Sequence, residues 1–276
     1  MKKESWKLDI KERKRFKFGM NWLDYAETIK ESQINESIKS LQLLLKVDDL
    51  NGKSFLDIGC GSGIVSLAAR KLGAKVLSFD FDKDSVSCCK KLKSRFLPGD
   101  INWVIKEGSI LDKSFIESLG KYDIVYSWGV LHHTGAMWTS LENINIPLLD
   151  KNSNLVIAIY NDQGIKSKFW KKIKKIYNSS LISSFLIKII FIPLYTLQYL
   201  LFGSLFRKNP FWFFINYKRS RGMSIYFDWI DWLGGYPYEV AKPDEINNFY
   251  RKKGFILEHI ITTNSLGCNQ YVFSKE

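Results

Sequence analysis

Two rhythms of apolar and polar positions alternate along this chain. Short, nearly continuous apolar runs are each followed by stretches in which apolar residues recur three or four positions apart. Ser54–Ile58 is followed by Ile64–Lys71, and Lys75–Phe79 by Asp84–Arg95; Asn102–Ile105, Ile124–Ser127 and Leu155–Tyr160 continue the series. Runs of the first kind predict strands buried on both faces, and stretches of the second kind predict helices laid against them. Strands interleaved with helices at this spacing predict an α/β fold with a parallel sheet and right-handed crossovers.

The rhythm is different at the two ends and in one long interval. Ile29, Ile34, Ile38, Leu41 and Leu45 recur near helical spacing, so residues 1–50 read as an N-terminal helical cap. After Tyr160 the alternation stops for about 75 residues, too long for an ordinary connection. It resumes at Pro243–Lys253, a helix with proline and the acids Asp244 and Glu245 in its first turn and Gly254 at its end. Phe255–Ile260 and Gln270–Ser274 then read as a closing hairpin, which requires at least one antiparallel strand. The chain thus divides into a core, 51–160 and 236–276, and an insertion, 161–235.

Charge changes the picture in one place. The formal net charge is +13, and the segment from Gln163 to Phe227 carries twelve Lys or Arg with no Asp or Glu. The basic character belongs almost wholly to the insertion. The first seventeen residues are charged and lack an apolar signal core, so a cytoplasmic protein is expected. The four cysteines, Cys60, Cys88, Cys89 and Cys268, have no metal-ligand spacing and read as thiols.

The chemistry is concentrated in Asp57-Ile58-Gly59-Cys60-Gly61-Ser62-Gly63. Alternate glycines let a strand-to-helix loop turn tightly and approach a ligand. Ile64 occupies the last position of the dinucleotide fingerprint, and Asp57 precedes the loop, where a pyrophosphate would be repelled. A positively charged adenosine cofactor fits both features. Asp80 ends the next apolar run, 17 residues after Gly63, at the distance expected for a carboxylate reaching two ribose hydroxyls. Gly108-Ser109-Ile110-Leu111-Asp112 follows the third strand, where an adenine could be gripped.

The loop, Asp80 and Tyr122-Asp123-Ile124-Val125-Tyr126-Ser127 resemble class I S-adenosylmethionine-dependent methyltransferases from about Asn51 to Tyr160 and again from Pro243 onward. The resemblance implies a Rossmann-like seven-stranded, mostly parallel sheet with an antiparallel last strand, here with a helical insertion between strands 5 and 6. It implies S-adenosylmethionine as cofactor, with Asp57, Gly59, Gly61 and Gly63 shaping the methionine end. Asp80 would hold the ribose, Phe81 and Ile110 would flank the adenine, and Ser109 would lie close by. Cys60, Ser127 and Trp128 complete the expected cofactor set.

The acceptor is less legible. The fourth strand runs into Ser127-Trp128-Gly129-Val130-Leu131-His132-His133-Thr134, beyond the carboxyl end where ligands of such sheets bind. His133, or else His132, is the candidate general base for O-methylation; acceptor positioning, helix capping or packing against the insertion are the alternatives. Quinone-ring O-methyltransferases carry acids about where this chain has Gly129 and His132, so a metal-assisted route is not expected. His259, on a strand, reads as structural. Tyr160-Asn161-Asp162-Gln163-Gly164, and Trp22 with Tyr25, are further places where an acceptor or cofactor could be covered.

Lys166–Tyr177 predicts a basic amphipathic helix, and Leu181–Phe206 contains one charge, Lys188. The second stretch is long and apolar enough to span a bilayer. A single span is disfavoured, because the strands on either side must join one sheet. Two readings stay open: a cap over the active site, or a segment that also lies in an anionic membrane interface. Small-molecule, glycan or lipid-linked acceptors, anionic ones included, fit a basic, apolar cap. RNA methylation and a non-catalytic, cofactor-binding membrane protein are the competing readings.

Overall fold

The computed structural model describes residues 15–19, 29–205 and 225–275. Helix α1 (Glu31–Leu45) leads into β1 (Ser54–Ile58), α2 (Ile64–Lys71), β2 (Lys75–Asp80), α3 (Lys83–Phe96) and β3 (Trp103–Glu107). A short helix α4 (Lys113–Glu117), β4 (Ile124–Trp128), a 3-10 turn (Leu131–His133), α5 (Met137–Asn143) and β5 (Ser153–Tyr160) follow. Helices α6 (Ile165–Ser179), α7 (Leu181–Leu205) and α8 (Ile225–Gly234) come between β5 and α9 (Pro243–Arg251). Strands β6 (Phe255–Ile261) and β7 (Cys268–Lys275) end the chain.

The seven strands lie in the order β3-β2-β1-β4-β5-β7-β6. Strands β1 to β5 pair in parallel, and β7 runs antiparallel to both β5 and β6. The chain turns outward in one direction from β1 to β3, then returns to β1's other side with β4. That reversal opens a crevice beyond the carboxyl ends of β1 and β4, where α/β sheets bind ligands.

Side-chain alternation sorts the core into two layers. Phe55, Val76, Ile124, Val156 and Val272 face Leu41, Leu44 and Leu67 of α1 and α2. Leu56, Leu77, Val125, Leu155 and Phe273 face Leu141, Ile246 and Tyr250 of α5 and α9. Both faces are covered, which is why β5 reads as an unbroken apolar run, Leu155–Ile159, rather than as alternation. Leu56 is fully buried, and truncating such a side chain to alanine costs ~2–5 kcal/mol.

The boundaries follow local chemistry. Asp82 caps α3 by accepting from the Asp84 amide at 2.9 Å. Pro243 opens α9, Glu245 accepts from the Lys242 amide at 2.7 Å, and Gly254 follows it at φ 79°. The sequence rhythm did not foretell α4, α5 and α8, which are short or embedded in aromatic sequence with weak periodicity. Pro193 lies within α7, which the backbone continues as one helix. Trp22, Tyr25 and the aromatic run Phe211–Phe214 lie outside the described residues.

Candidate active site

A cavity of about 1540 Å³ occupies the crevice. Its floor is the carboxyl edge of the sheet: the loop from Asp57 to Ser62, Asp80 to Asp82, Gly108 to Leu111, Trp128 to Val130, and Tyr160. Its roof comes from α1, from Arg15, Phe16 and Phe18, and from the insertion, through Trp170, Tyr195, Tyr199, Trp229 and Trp232. The loop between β6 and β7 and the start of β7 close one side with Leu266, Gly267 and Cys268.

The glycine loop is held by its own amides. Gly59 N and Cys60 N both donate to Phe79 O, at 2.8 and 3.1 Å, and Gly61 N donates to Asp80 Oδ2 at 2.9 Å. Gly59 and Gly63 adopt φ of 74° and 82°. A Cβ at Gly59 would come 2.4 Å from Val130 Cγ1, and one at Gly63 would come 2.5 Å from Cys89 Sγ. Both positions therefore exclude a side chain twice, by backbone conformation and by space.

Asp57 and Asp80 give the cavity its electrostatic character. Asp57 is buried and accepts from Ser66 Oγ at 2.5 Å. Ser66 in turn meets Ser78 Oγ at 2.6 Å, and Trp103 Nε1 donates to Ser78 Oγ at 2.8 Å. This buried chain of hydroxyls fixes the carboxylate from behind. Burial pushes the Asp57 carboxyl up to about 7, against the Ser66 hydrogen bond and with the help of the Asp80 charge. Asp80 accepts from Asp82 N at 2.8 Å as well as from Gly61, and burial pushes it up to about 6 against those amides. Among the described residues the partners of both carboxylates are hydroxyls and amides, with no cation on either. A site that holds two such groups beside a glycine loop is completed by a cationic ligand carrying hydroxyls.

Most of the expected cofactor residues line this one cavity: Asp57, Gly59, Cys60, Gly61, Asp80, Phe81, Ser109, Ile110 and Trp128. Two do not. Ser127 is fully buried, and its hydroxyl donates to Ile58 O at 3.0 Å, so it ties β4 to β1 behind the wall. Gly63 stands at the start of α2 between the lining residues Ser62 and Ile64, and acts through packing on Cys89. The Arg15 guanidinium carbon lies 5.4 Å from the Phe81 ring centroid. Nothing in the sequence pattern pointed to Arg15, because its approach is a tertiary event.

The two histidines separate. His133 lines the cavity, and His132 does not. His132 is fully buried and accepts from Tyr160 N through Nδ1 at 3.3 Å, which corrects its reading as a candidate base. His133 Nδ1 lies 2.7 Å from Pro237 O. A carbonyl only accepts, so Nδ1 carries the proton and Nε2 keeps a lone pair. Burial, opposed by the Pro237 bond and reinforced by Lys174 and Arg15, lowers His133 to about 3. The ring is neutral at physiological pH.

Other candidates are spent elsewhere. Asn161 donates to Thr263 O at 2.7 Å, which ties the turn after β5 to the β6–β7 loop, and Asp162 accepts from Gly164 N at 2.8 Å within the turn. The His259 reading as a strand residue agrees with its place in β6. Among the described residues no group of three His, Cys, Asp or Glu side chains could hold a metal ion.

Among the described residues, no lysine of the insertion lines the cavity. Lys166, Lys168, Lys171, Lys172 and Lys175 face solvent, and the insertion turns aromatic rings with Asp228 and Asp231 inward. Lys174 is the exception, fully buried, with Nζ donating to Trp232 O and 4.1 Å from the Trp232 ring centroid. Burial lowers its ammonium to about 7, against the pull of Asp231.

Residues 49–185 match a family described as a methyltransferase domain. The ribosomal protein L11 methyltransferase of Helicobacter hepaticus is 40% identical over 77 residues, 28% of this chain and 23% of that protein, so the match spans under a quarter of the relative's length. Magnesium protoporphyrin IX methyltransferase from Synechocystis PCC 6803, solved with bound SAH, shares the fold at TM-score 0.54 and 15% identity over 91% of this chain and 86% of that one. An O-methyltransferase family protein from Burkholderia thailandensis does so at TM-score 0.53 and 9% identity, over 89% and 58%. With its sheet order, its glycine loop and its matching domain, the chain belongs to the class I S-adenosylmethionine-dependent methyltransferases.

Proposed function

We propose that this protein transfers a methyl group from S-adenosylmethionine to an oxygen of a small-molecule, glycan or lipid-linked acceptor held beneath the insertion. The observation that carries this reading is one cavity lined by Asp57, Asp80 and His133, whose Nδ1 is held by Pro237 O. The cofactor supplies a methyl group on a cationic sulfur, and the C–S electron pair leaves with that sulfur. Asp57 and Asp80 favour the cation before transfer, and Asp80 orders the loop through Gly61. Aromatic walls from Trp170, Trp229 and Trp232 exclude water and align the acceptor.

His133 takes the acceptor proton at Nε2 as the new C–O bond forms. A base lowered to about 3 is sufficient, because an alkylated hydroxyl is far more acidic than an imidazolium. The timing is therefore late: the neutral ring orients the hydroxyl first and accepts its proton as charge develops. The acidic, aromatic lining favours a neutral acceptor over an anionic one inside the cavity.

A protein or RNA acceptor is the second reading, favoured by the name of the Helicobacter hepaticus relative and by the basic outer face of α6. Incubation with S-adenosylmethionine labelled at the methyl group, followed by separation into small-molecule, glycan, lipid, RNA and protein fractions, tests the proposal. Base-stable label in an ether of the first three supports it. Label confined to RNA or protein replaces it, and absent binding of S-adenosylhomocysteine by calorimetry removes methyl transfer altogether.

A further inference from the structure

Helix α7 has two faces with different surroundings. One packs inward: Phe191 lies 5.4 Å from Trp170, Tyr195 lies 5.5 Å from Trp229 (ring centroids), and Tyr195 and Tyr199 line the cavity. The other carries Ile182, Phe185, Leu186, Ile189, Ile190 and Leu194, each more than half exposed, and continues to Leu201. Leu181–Leu201 has a mean hydropathy of 1.7, and 6% of the stretch is buried. An apolar face of this length is unusual on a surface that meets only water.

Its neighbour identifies what covers it. Lys166, Lys168, Lys171, Lys172 and Lys175 are exposed on α6, beside the half-exposed Phe169 and Ile176, and no acid occurs from Gln163 to Phe227. Lysines beside a continuous apolar helix face match a bilayer with anionic headgroups. A span is excluded by the inward packing of Ile187, Phe191 and Tyr195, which holds α7 along the protein. We infer that α7 lies in the plane of an anionic membrane interface, with the α6 lysines on the headgroups.

Resting on the methyl-transfer reading above, this names the acceptor class. The helix that meets lipid is also a wall of the cavity, so one helix diameter, about 10–12 Å, separates acyl chains from the site. The acceptor is a hydroxyl-bearing amphiphile whose apolar tail stays in the bilayer while its head enters the cavity.

The test uses the full chain with vesicles of phosphatidylcholine alone and of phosphatidylcholine with phosphatidylglycerol. Co-sedimentation with the anionic vesicles, weakening with salt, is expected. Leu186→Glu/Ile190→Glu/Leu194→Glu should weaken it at least tenfold, as should Lys168→Glu/Lys171→Glu/Lys172→Glu. These positions are exposed and outside the cavity lining, so S-adenosylhomocysteine binding, measured on the same preparations, is expected to persist. Wild-type protein left in the supernatant at low salt overturns the inference, as does binding that both variants retain. A wild-type dimer that the first variant turns into monomer, with no vesicle binding, assigns the face to a second copy instead. Vesicle binding without S-adenosylhomocysteine binding keeps the docking and removes the catalytic reading.

Discussion

Asp80 Oδ2 accepts from the amide of Gly61 at 2.9 Å, so the carboxylate at the end of β2 holds the loop that follows β1. One residue therefore shapes the site and supplies a charge to it. Asp80→Ala removes both functions at once. Charged hydrogen bonds contribute ~1.5–3 kcal/mol each, so S-adenosylhomocysteine affinity should fall about 10- to 150-fold by calorimetry. Undiminished affinity would show that the ligand sits elsewhere.

Asp57 and Asp80, raised to about 7 and about 6, make cofactor binding depend on pH. A cation favours the ionised carboxylates, so affinity for S-adenosylmethionine should rise between pH 5.5 and 8. Stability without ligand runs the other way. Asp57 holds its proton in the folded state from pH 3.8 to about 7, so its contribution is greatest below that window and is lost as pH rises through it. The rise in Tm on adding S-adenosylmethionine should accordingly be larger at pH 8 than at pH 5.5, and Asp57→Asn should flatten the difference.

Gly59→Ala forces a Cβ to 2.4 Å from Val130 at a φ of 74°. Strain of ~1–3 kcal/mol is expected, with displacement of the loop. Thermal unfolding should show a lower Tm, and cofactor binding should be lost. Gly99→Ala, with open space and φ of 74°, serves as the control that carries only the conformational cost.

His133→Ala should reduce kcat by about 10²–10⁴-fold with cofactor affinity nearly unchanged, while His132→Ala should act through stability. Because His133 is lowered to about 3, its titration adds no rise in kcat between pH 5 and 8. Near-normal turnover of His133→Ala would remove it as the base.

Lys174 is buried with its ammonium lowered to about 7 from 10.5. The unfolded chain binds its proton more readily, so burial of this group costs stability below pH 7, and the cost is relieved as pH rises from 7 to 10.5. Lys174→Met should raise Tm at neutral pH or leave it unchanged, and should flatten the rise in stability between pH 7 and 9. A large loss of Tm in that variant would show that its bond to Trp232 O outweighs desolvation.

The sequence alone determined what is local or periodic. The strands from Ser54 to Tyr160 were legible because their buried positions demand short, nearly continuous apolar runs, and the donor loop because positive φ at Gly59 and Gly63 admits little else. Asp80 was legible because its distance from the loop is set by one βα unit. Tertiary structure decided everything that depends on which way a side chain faces. His132 and His133 are neighbours in sequence, yet a 3-10 turn sends one into the core and the other into the cavity. Ser127 and Trp128 part in the same way at the end of β4, because successive strand residues point to opposite faces. The amphipathic pattern of Lys166–Tyr177 already turned its lysines outward, but the closure of aromatic rings from α6, α7 and α8 over the site was decided by packing between helices, which no linear pattern states.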